Sequence, residues 1–282
     1  MTKLYAAAAG TIEYRYDQRG DRAVLMMHGG HMRAELPGGE EYFARRGYSV
    51  VVVSRPGYGR TSQSLHRQVG AFEAAVAELL DALGISQVLV VGVSAGGRAA
   101  MRFAERYPDQ AKGLILLSAL SFQQWPSLPT RMAAYPLFNP AVEAGTWAMM
   151  RWCVRHWPSL FLGQLMGSLT TLPARQVIAE LDKDRLEAFR SLVCEFRSKR
   201  GFMNDMSRQA RQGNPEDIQC PTLIIHSRYD GSVPLRHAEE NARRIPHATL
   251  RENDTESHLM WLSRRWLEDV EPQLDDFLNL LY

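Results

Sequence analysis

A chain of 282 residues with 45% hydrophobic and 23% charged residues has the composition of an ordinary globular protein, long enough for one large domain or for one domain carrying an insertion. A formal net charge of +2 is too small for an electrostatic nucleic-acid footprint, so no nucleic-acid partner is expected. The three cysteines, Cys153, Cys194 and Cys220, are odd in number and widely spaced, which argues against a disulfide framework or a zinc knuckle.

The first ten residues hold one lysine and four alanines, an apolar run too short for a signal peptide. No charge-free apolar stretch of about 18 residues follows, so no membrane span is expected, and the location expected is cytoplasmic. Residues 4–8 and 11–17 read as strands joined through Gly10. Residues 22–27 form a continuous apolar run of the kind that suits a strand buried on both faces. It ends in His28-Gly29-Gly30-His31. Residues 35–46 read as a helix closed by Gly47, and residues 48–54 as the strongest strand in the chain. The following loop, Arg55-Pro56-Gly57-Tyr58-Gly59-Arg60, is marked by its Pro and Gly content. Val69, Phe72, Val76, Leu79, Leu80 and Leu83 then recur at helical spacing until Gly84.

Residues 88–97 carry the chemistry. An apolar strand runs into Gly92-Val93-Ser94-Ala95-Gly96, followed by small helix-compatible residues. This G-x-S-x-G order of strand, sharp turn and helix is a nucleophile elbow. Glycine lets the chain turn tightly around Ser94, and the helix that follows aims free N–H groups and a partial positive charge at the same spot. Another buried strand is predicted over 113–118.

From 121 to 214 the strand rhythm stops, and prolines at 126, 129, 136, 140, 158 and 173 cut an aromatic-rich, Met-rich segment into short helices. Its 12 Lys/Arg against 7 Asp/Glu give a net of +5, which solvated helix faces explain as well as an anionic substrate would. The segment reads as a helical cap inserted into a core made of residues 1–120 and 215–282. Strand rhythm resumes at 221–227, followed by Asp230-Gly231, a helix over 235–245, a short strand near 248–252, and a loop ending in His258. A one-sided apolar helix from Trp261 to Leu281 closes the chain.

Alternating strands and helices predict a mostly parallel central sheet flanked by helices, with ligands bound past the strand ends. Ser94, Asp230 and His258 each follow a strand, in the order nucleophile, acid, base. On these residues, and on His28-Gly29-Gly30, the Arg55 loop and the helical insertion, the sequence resembles the α/β-hydrolase superfamily over nearly its whole length. The resemblance implies an α/β-hydrolase fold with a cap and a Ser94–His258–Asp230 triad. Asp254 and Glu256 are rival acids, but they sit on the histidine's own loop.

The chemistry is arguable independently. A serine hydroxyl needs an imidazole to take its proton, and the imidazole needs a carboxylate to fix its tautomer. The backbone N–H groups of Ala95 and Gly30 would hold the oxyanion, with His31 as the one-residue alternative. His28 and His31 lack a third ligand at zinc spacing, so no metal is expected, and the chemistry calls for no cofactor. His31, Arg55, Tyr58, Trp125, Trp152 and Trp157 are candidate pocket residues. The aromatic cap favours a small-molecule substrate with an apolar group.

The activity expected is hydrolysis of a small carboxylic ester or related acyl compound. The alternatives are hydrolysis of a carbon–carbon bond in a dione-type substrate, cofactor-free perhydrolase activity, or a ligand receptor that keeps the fold. Serine at the elbow argues against dehalogenase or epoxide hydrolase chemistry, where a carboxylate attacks and water can cleave the resulting ester.

Overall fold

The computed structural model describes Met1–Tyr282. Eight strands form one sheet: β1 (Lys3–Ala7), β2 (Gly10–Asp17), β3 (Ala23–Met27), β4 (Ser49–Val53), β5 (Val88–Val93), β6 (Ala111–Leu117), β7 (Thr222–Ser227) and β8 (Ala248–Asn253). Their order is β1-β2-β4-β3-β5-β6-β7-β8. The β1–β2 and β2–β4 pairs are antiparallel and the other pairs parallel. From β3 the chain steps outward to β4, then returns to the other side of β3 as β5. The strand order therefore reverses between β3 and β5, and open α/β sheets bind ligands in the crevice at such a point. The loop after β3 and the elbow after β5 meet there.

The central strands are apolar along their whole length because both faces are covered. Val24, Met26, Val50, Val52, Leu89 and Val91 pack on one side, with Tyr42, Phe43, Leu274 and Phe277. Leu25, Met27, Val51, Val53, Val90 and Leu116 pack on the other, with Phe72, Leu79, Met101 and Phe103. The period of two along each strand divides its side chains between these two cores. The helices are α1 (Glu41–Arg45) and the C-terminal helix on the first side, and α2 (Ala71–Ala82) and α3 (Gly96–Arg106) on the second.

Two helix predictions need correction. Residues 35–46 do not form one helix; only α1 is helical. Pro37-Gly38-Gly39 breaks the start: Gly39 has φ +93, and the Glu40 side chain accepts the Gly38 N–H at 2.7 Å. The C-terminal helix is likewise shorter than expected. A 3-10 turn (Met260–Leu262) and a π-helical turn (Trp266–Val270) precede a helix that begins at Glu271, with Pro272 in its first turn.

Between β6 and β7 lie α4 (Leu128–Phe138), α5 (Glu143–His156), α6 (Pro158–Gly167), α7 (Ala174–Glu180), α8 (Lys183–Glu195) and α9 (Gly201–Asp205). After β7 come α10 (Arg236–Arg244), β8 and α11 (Glu271–Leu281). The inserted helices share a third apolar cluster, in which Trp147, Leu162, Met166, Phe189 and Leu192 meet Met32 and Leu36 from the loop after β3 and Leu259 and Leu262 from the segment after β8.

The root of the insertion holds a titratable switch in stability. His237 of α10 is fully buried, with Nδ1 2.8 Å from the Ser121 hydroxyl and 3.3 Å from the Ser121 N–H it accepts. Burial first, then the charges of Arg98 and Arg236, push its pKa down to about 3. A histidine held neutral on folding contributes its full stabilisation above its unfolded pKa and loses it as pH falls toward the folded value. Stability should therefore decline from about pH 6.5 downward, measured as the urea midpoint against pH. His237→Asn keeps an acceptor for Ser121 and removes this titration, so it should make that slope shallower, leaving the part that His31, also pushed down by burial to about 4, contributes. An unchanged slope would show that other groups carry it.

Candidate functional site

Ser94 sits one residue past β5 with φ +53, the left-handed conformation that a sharp strand-to-helix turn imposes and that a non-glycine residue adopts only under strain. Glycines make room for it. A Cβ on Gly92 would lie 2.6 Å from that of Ala100. One on Gly96 would collide with the carbonyls of Met27 and His28, which seats the start of α3 against the end of β3. A Cβ on Gly29 would come within 2.8 Å of the Ser94 Cβ, so the loop after β3 crosses directly beside the serine. The N–H groups of Gly30 and Ala95 are taken by no acceptor in the chain. Two unengaged backbone donors thus lie next to Ser94 in the chain and on the loop that crosses beside it.

Asp230 and His258 are brought together. Asp230 Oδ2 is 2.7 Å from His258 Nδ1, and Oδ1 accepts the N–H groups of Ser232 and Val233, each at 2.8 Å. Burial pushes the Asp230 carboxyl upward, but His258, His226 and the Val233 N–H outweigh it and hold it below the usual carboxylate range. The anion is thereby kept in a fully buried position. His258 makes no other side-chain hydrogen bond, and its Nε2 is free. The Ser94 hydroxyl makes no hydrogen bond either, to His258 or to any other side chain. The rival acids are engaged elsewhere: Asp254 pairs with Arg228 at 2.9 Å, and Glu256 with Ser263 and Arg265.

The inserted segment holds these loops by its backbone, which the sequence did not announce. The His258 N–H donates to the Leu169 carbonyl at 2.8 Å, and the Gly231 N–H to the same oxygen at 3.2 Å. The Thr171 N–H donates to the Tyr229 carbonyl at 2.9 Å, and Thr170 bridges to Asp230 as an isolated antiparallel pair. A Cβ on Gly231 would strike the Thr170 backbone at 2.8 Å, so the glycine after Asp230 is needed for this approach.

Four of the candidate pocket residues lie differently from expectation. Arg55 and Tyr58 are buried and tied to Asp205, at the end of α9. The Arg55 guanidinium pairs with both Asp205 carboxylate oxygens and also donates to the carbonyls of His28 (2.7 Å) and Gly29 (3.0 Å). The Tyr58 hydroxyl donates to Asp205 at 2.6 Å, and Arg98 donates to the Asp205 carbonyl at 3.0 Å. Arg55 thus fastens the loop beside Ser94 to the insertion. Trp152 and Trp157 are half-exposed, and their rings meet edge to face at 5.0 Å on the surface of the insertion. Trp125 packs with Ala95, Leu120 and Val233, and its Nε1 donates to the Ser232 carbonyl at 2.9 Å. His31, with φ +64, turns its ring among aromatic residues of the insertion. Phe202, which sequence reasoning did not single out, covers Gly30: a Cβ there would be 3.7 Å from its ring.

A strand-elbow-helix at the point where the sheet order reverses, with a hydrogen-bonded aspartate and histidine on the loops after β7 and β8, is the α/β-hydrolase arrangement. The sequence pattern of the alpha/beta hydrolase fold family matches residues 22–263. The chain belongs to that family. It is 34% identical over 266 residues to an uncharacterized hydrolase, YcgS, of Bacillus subtilis (strain 168), covering 92% of each chain. It is 36% identical over 237 residues to a 2-hydroxy-6-oxo-6-phenylhexa-2,4-dienoate hydrolase of Comamonas testosteroni, covering 79% of this chain and 76% of that one. Its structure matches an alpha/beta hydrolase fold protein from Nakamurella multipartita with a TM-score of 0.80 at 22% identity, over 99% of each chain, a likeness of fold. The protein is thus a hydrolase of the α/β fold. No helix is long and apolar enough to cross a membrane.

Proposed function

We propose that this hydrolase cleaves a small carboxylic ester or related acyl compound through an acyl-enzyme on Ser94, beneath a cap formed by residues 121–214. The observation that carries the reading is the 2.7 Å contact between His258 Nδ1 and a doubly N–H-bonded Asp230 carboxylate, which leaves His258 Nε2 free as an acceptor. Nε2 takes the Ser94 proton as Oγ bonds to the substrate carbonyl carbon. The Gly30 and Ala95 N–H groups receive the oxyanion. The imidazolium returns the proton to the departing alcohol, and water repeats the sequence to release the acid and free Ser94.

A second reading, carbon–carbon bond hydrolysis of a dione-type substrate with the same triad, is favoured by the name of the Comamonas relative. A dienoate carries a carboxylate, which calls for a cation in the pocket. The two buried arginines nearest the elbow are already engaged, Arg55 by Asp205 and Arg98 by the carbonyls of Ser121, Gln123 and Asp205. That favours an uncharged acyl substrate. A fluorophosphonate probe should label Ser94 in the folded protein, and p-nitrophenyl esters should turn over with a burst. Both responses should vanish in Ser94→Ala. Ring-cleavage dienoates hydrolysed at least tenfold faster than every ester would replace the first reading with the second.

A further inference from the structure

The side chain of His31, two residues past the glycine that touches Ser94, has its proton placed by its neighbours. Ser198 is fully buried, and its hydroxyl oxygen has two side-chain partners: Trp147 Nε1 at 2.8 Å and His31 Nδ1 at 2.7 Å. An indole N–H can only donate, so Ser198 Oγ is the acceptor there. A buried hydroxyl proton needs an acceptor of its own, and the remaining partner is the His31 Nδ1 lone pair. His31 therefore carries its proton on Nε2. Burial takes the pKa of the ring down to about 4, against the pull of the Asp205 and Glu143 charges and with that of Arg55. The imidazole is thus neutral at physiological pH, with one N–H that no acceptor in the chain engages.

The His31 ring is set among aromatic side chains. The His31 ring lies 4.4 Å from Phe202 and 5.0 Å from both Phe138 and Trp147. Phe202 covers Gly30 and lies 6.3 Å from Trp125, which packs against Ala95. Aromatic side chains thus run in series from Trp125 against Ala95, through Phe202 over Gly30, to the His31 ring. A neutral donor in apolar surroundings selects a neutral acceptor, because a carboxylate there would lack a counter-charge.

We propose that His31 is a specificity residue whose Nε2–H donates to an uncharged oxygen, such as a ketone or ether oxygen, on an otherwise apolar acyl group bound beside Ser94. The proposal rests on the acyl-enzyme reading above and narrows its substrate class.

The test compares p-nitrophenyl hexanoate, its keto analogue of equal length, and a succinyl half-ester. Binding to Ser94→Ala protein is followed by calorimetry, and turnover by the wild type is measured separately. The keto ester should be preferred over hexanoate by about tenfold in both Kd and kcat/KM, the size of one hydrogen bond in an apolar site. His31→Phe, which keeps the ring packing, should erase the preference. Nitrogen-15 spectra of imidazole-labelled protein should show His31 protonated on Nε2, and Ser198→Ala should release that tautomer. Protonation on Nδ1, a preference that survives His31→Phe, or tighter binding of the succinyl ester would each overturn the proposal. Failure of the acyl-enzyme reading looks different: Ser94 stays unlabelled and no ester turns over, while the calorimetric preference persists.

Discussion

Replacing Asp230 with Asn is expected to lower kcat for ester hydrolysis by about 10⁴-fold with little change in KM. The amide can enter in only one orientation. Oδ1 receives two backbone N–H groups, from Ser232 and Val233, so an amide nitrogen placed there would set donor against donor. The amide nitrogen must then replace Oδ2 and face His258 Nδ1. To accept its hydrogen, His258 has to carry the proton on Nε2 instead, and it then presents a donor to Ser94 where the reaction needs an acceptor. The substitution thus inverts the tautomer with little disturbance of packing. Because the loss concerns the chemical step, fluorophosphonate labelling should slow in parallel with kcat. Asp254→Asn is the control: that carboxylate is exposed and paired with Arg228, so kcat should stay within about twofold. A small loss in Asp230→Asn and a large one in Asp254→Asn would move the acid to the histidine's own loop.

Ser94, Asp230 and His258 stand out in the sequence because each follows an apolar strand in a loop whose glycine or turn residues mark a break, and the structure joins the last two by a hydrogen bond. The central strands were legible because burial on both faces makes them continuously apolar, as in Val50–Val53 and Val88–Val91. Contacts that span the chain left no such local trace. Asp205 lies 150 residues from Arg55, and nothing around either residue names the other. An arginine in a Pro- and Gly-rich loop after a strand reads as a ligand contact until its carboxylate partner is found. The aromatic residues of α5 show the same limit. Trp147 is buried and Trp152 half-exposed, because five residues at the helical repeat carry a side chain to nearly the opposite face. Composition counted these rings without telling which of them face inward. The backbone contacts of Leu169–Thr171 with the Asp230 and His258 loops are made by N–H and C=O groups common to every residue, so side-chain pattern could not reveal them.

Asp205→Ala is expected to destabilise the protein by about 3–5 kcal/mol, because it strands the buried Arg55 charge. For a chain of this size that amounts to a fall in Tm of about 10 °C. Stability and catalysis can then be separated. Replacing the whole cluster with apolar residues (Arg55→Met, Asp205→Leu and Tyr58→Phe together) removes the stranded charge and the unpaired hydroxyl. A buried ion pair exchanged for packed apolar groups often costs nothing or gains stability, so Tm should recover most of the loss. Activity should not recover with it. The Arg55 guanidinium donates to the carbonyls of His28 and Gly29, and these peptide groups set the direction of the Gly30 N–H beside Ser94. No methionine can hold those carbonyls. The triple variant should therefore fold near normally yet keep kcat about 10²-fold low, the usual cost of a misplaced oxyanion donor, with KM changed far less. Recovery of Tm and kcat together would show that the cluster acts on folding alone. Recovery of Tm without kcat would show that Asp205, from a helix of the insertion, sets the geometry of the oxyanion loop through Arg55.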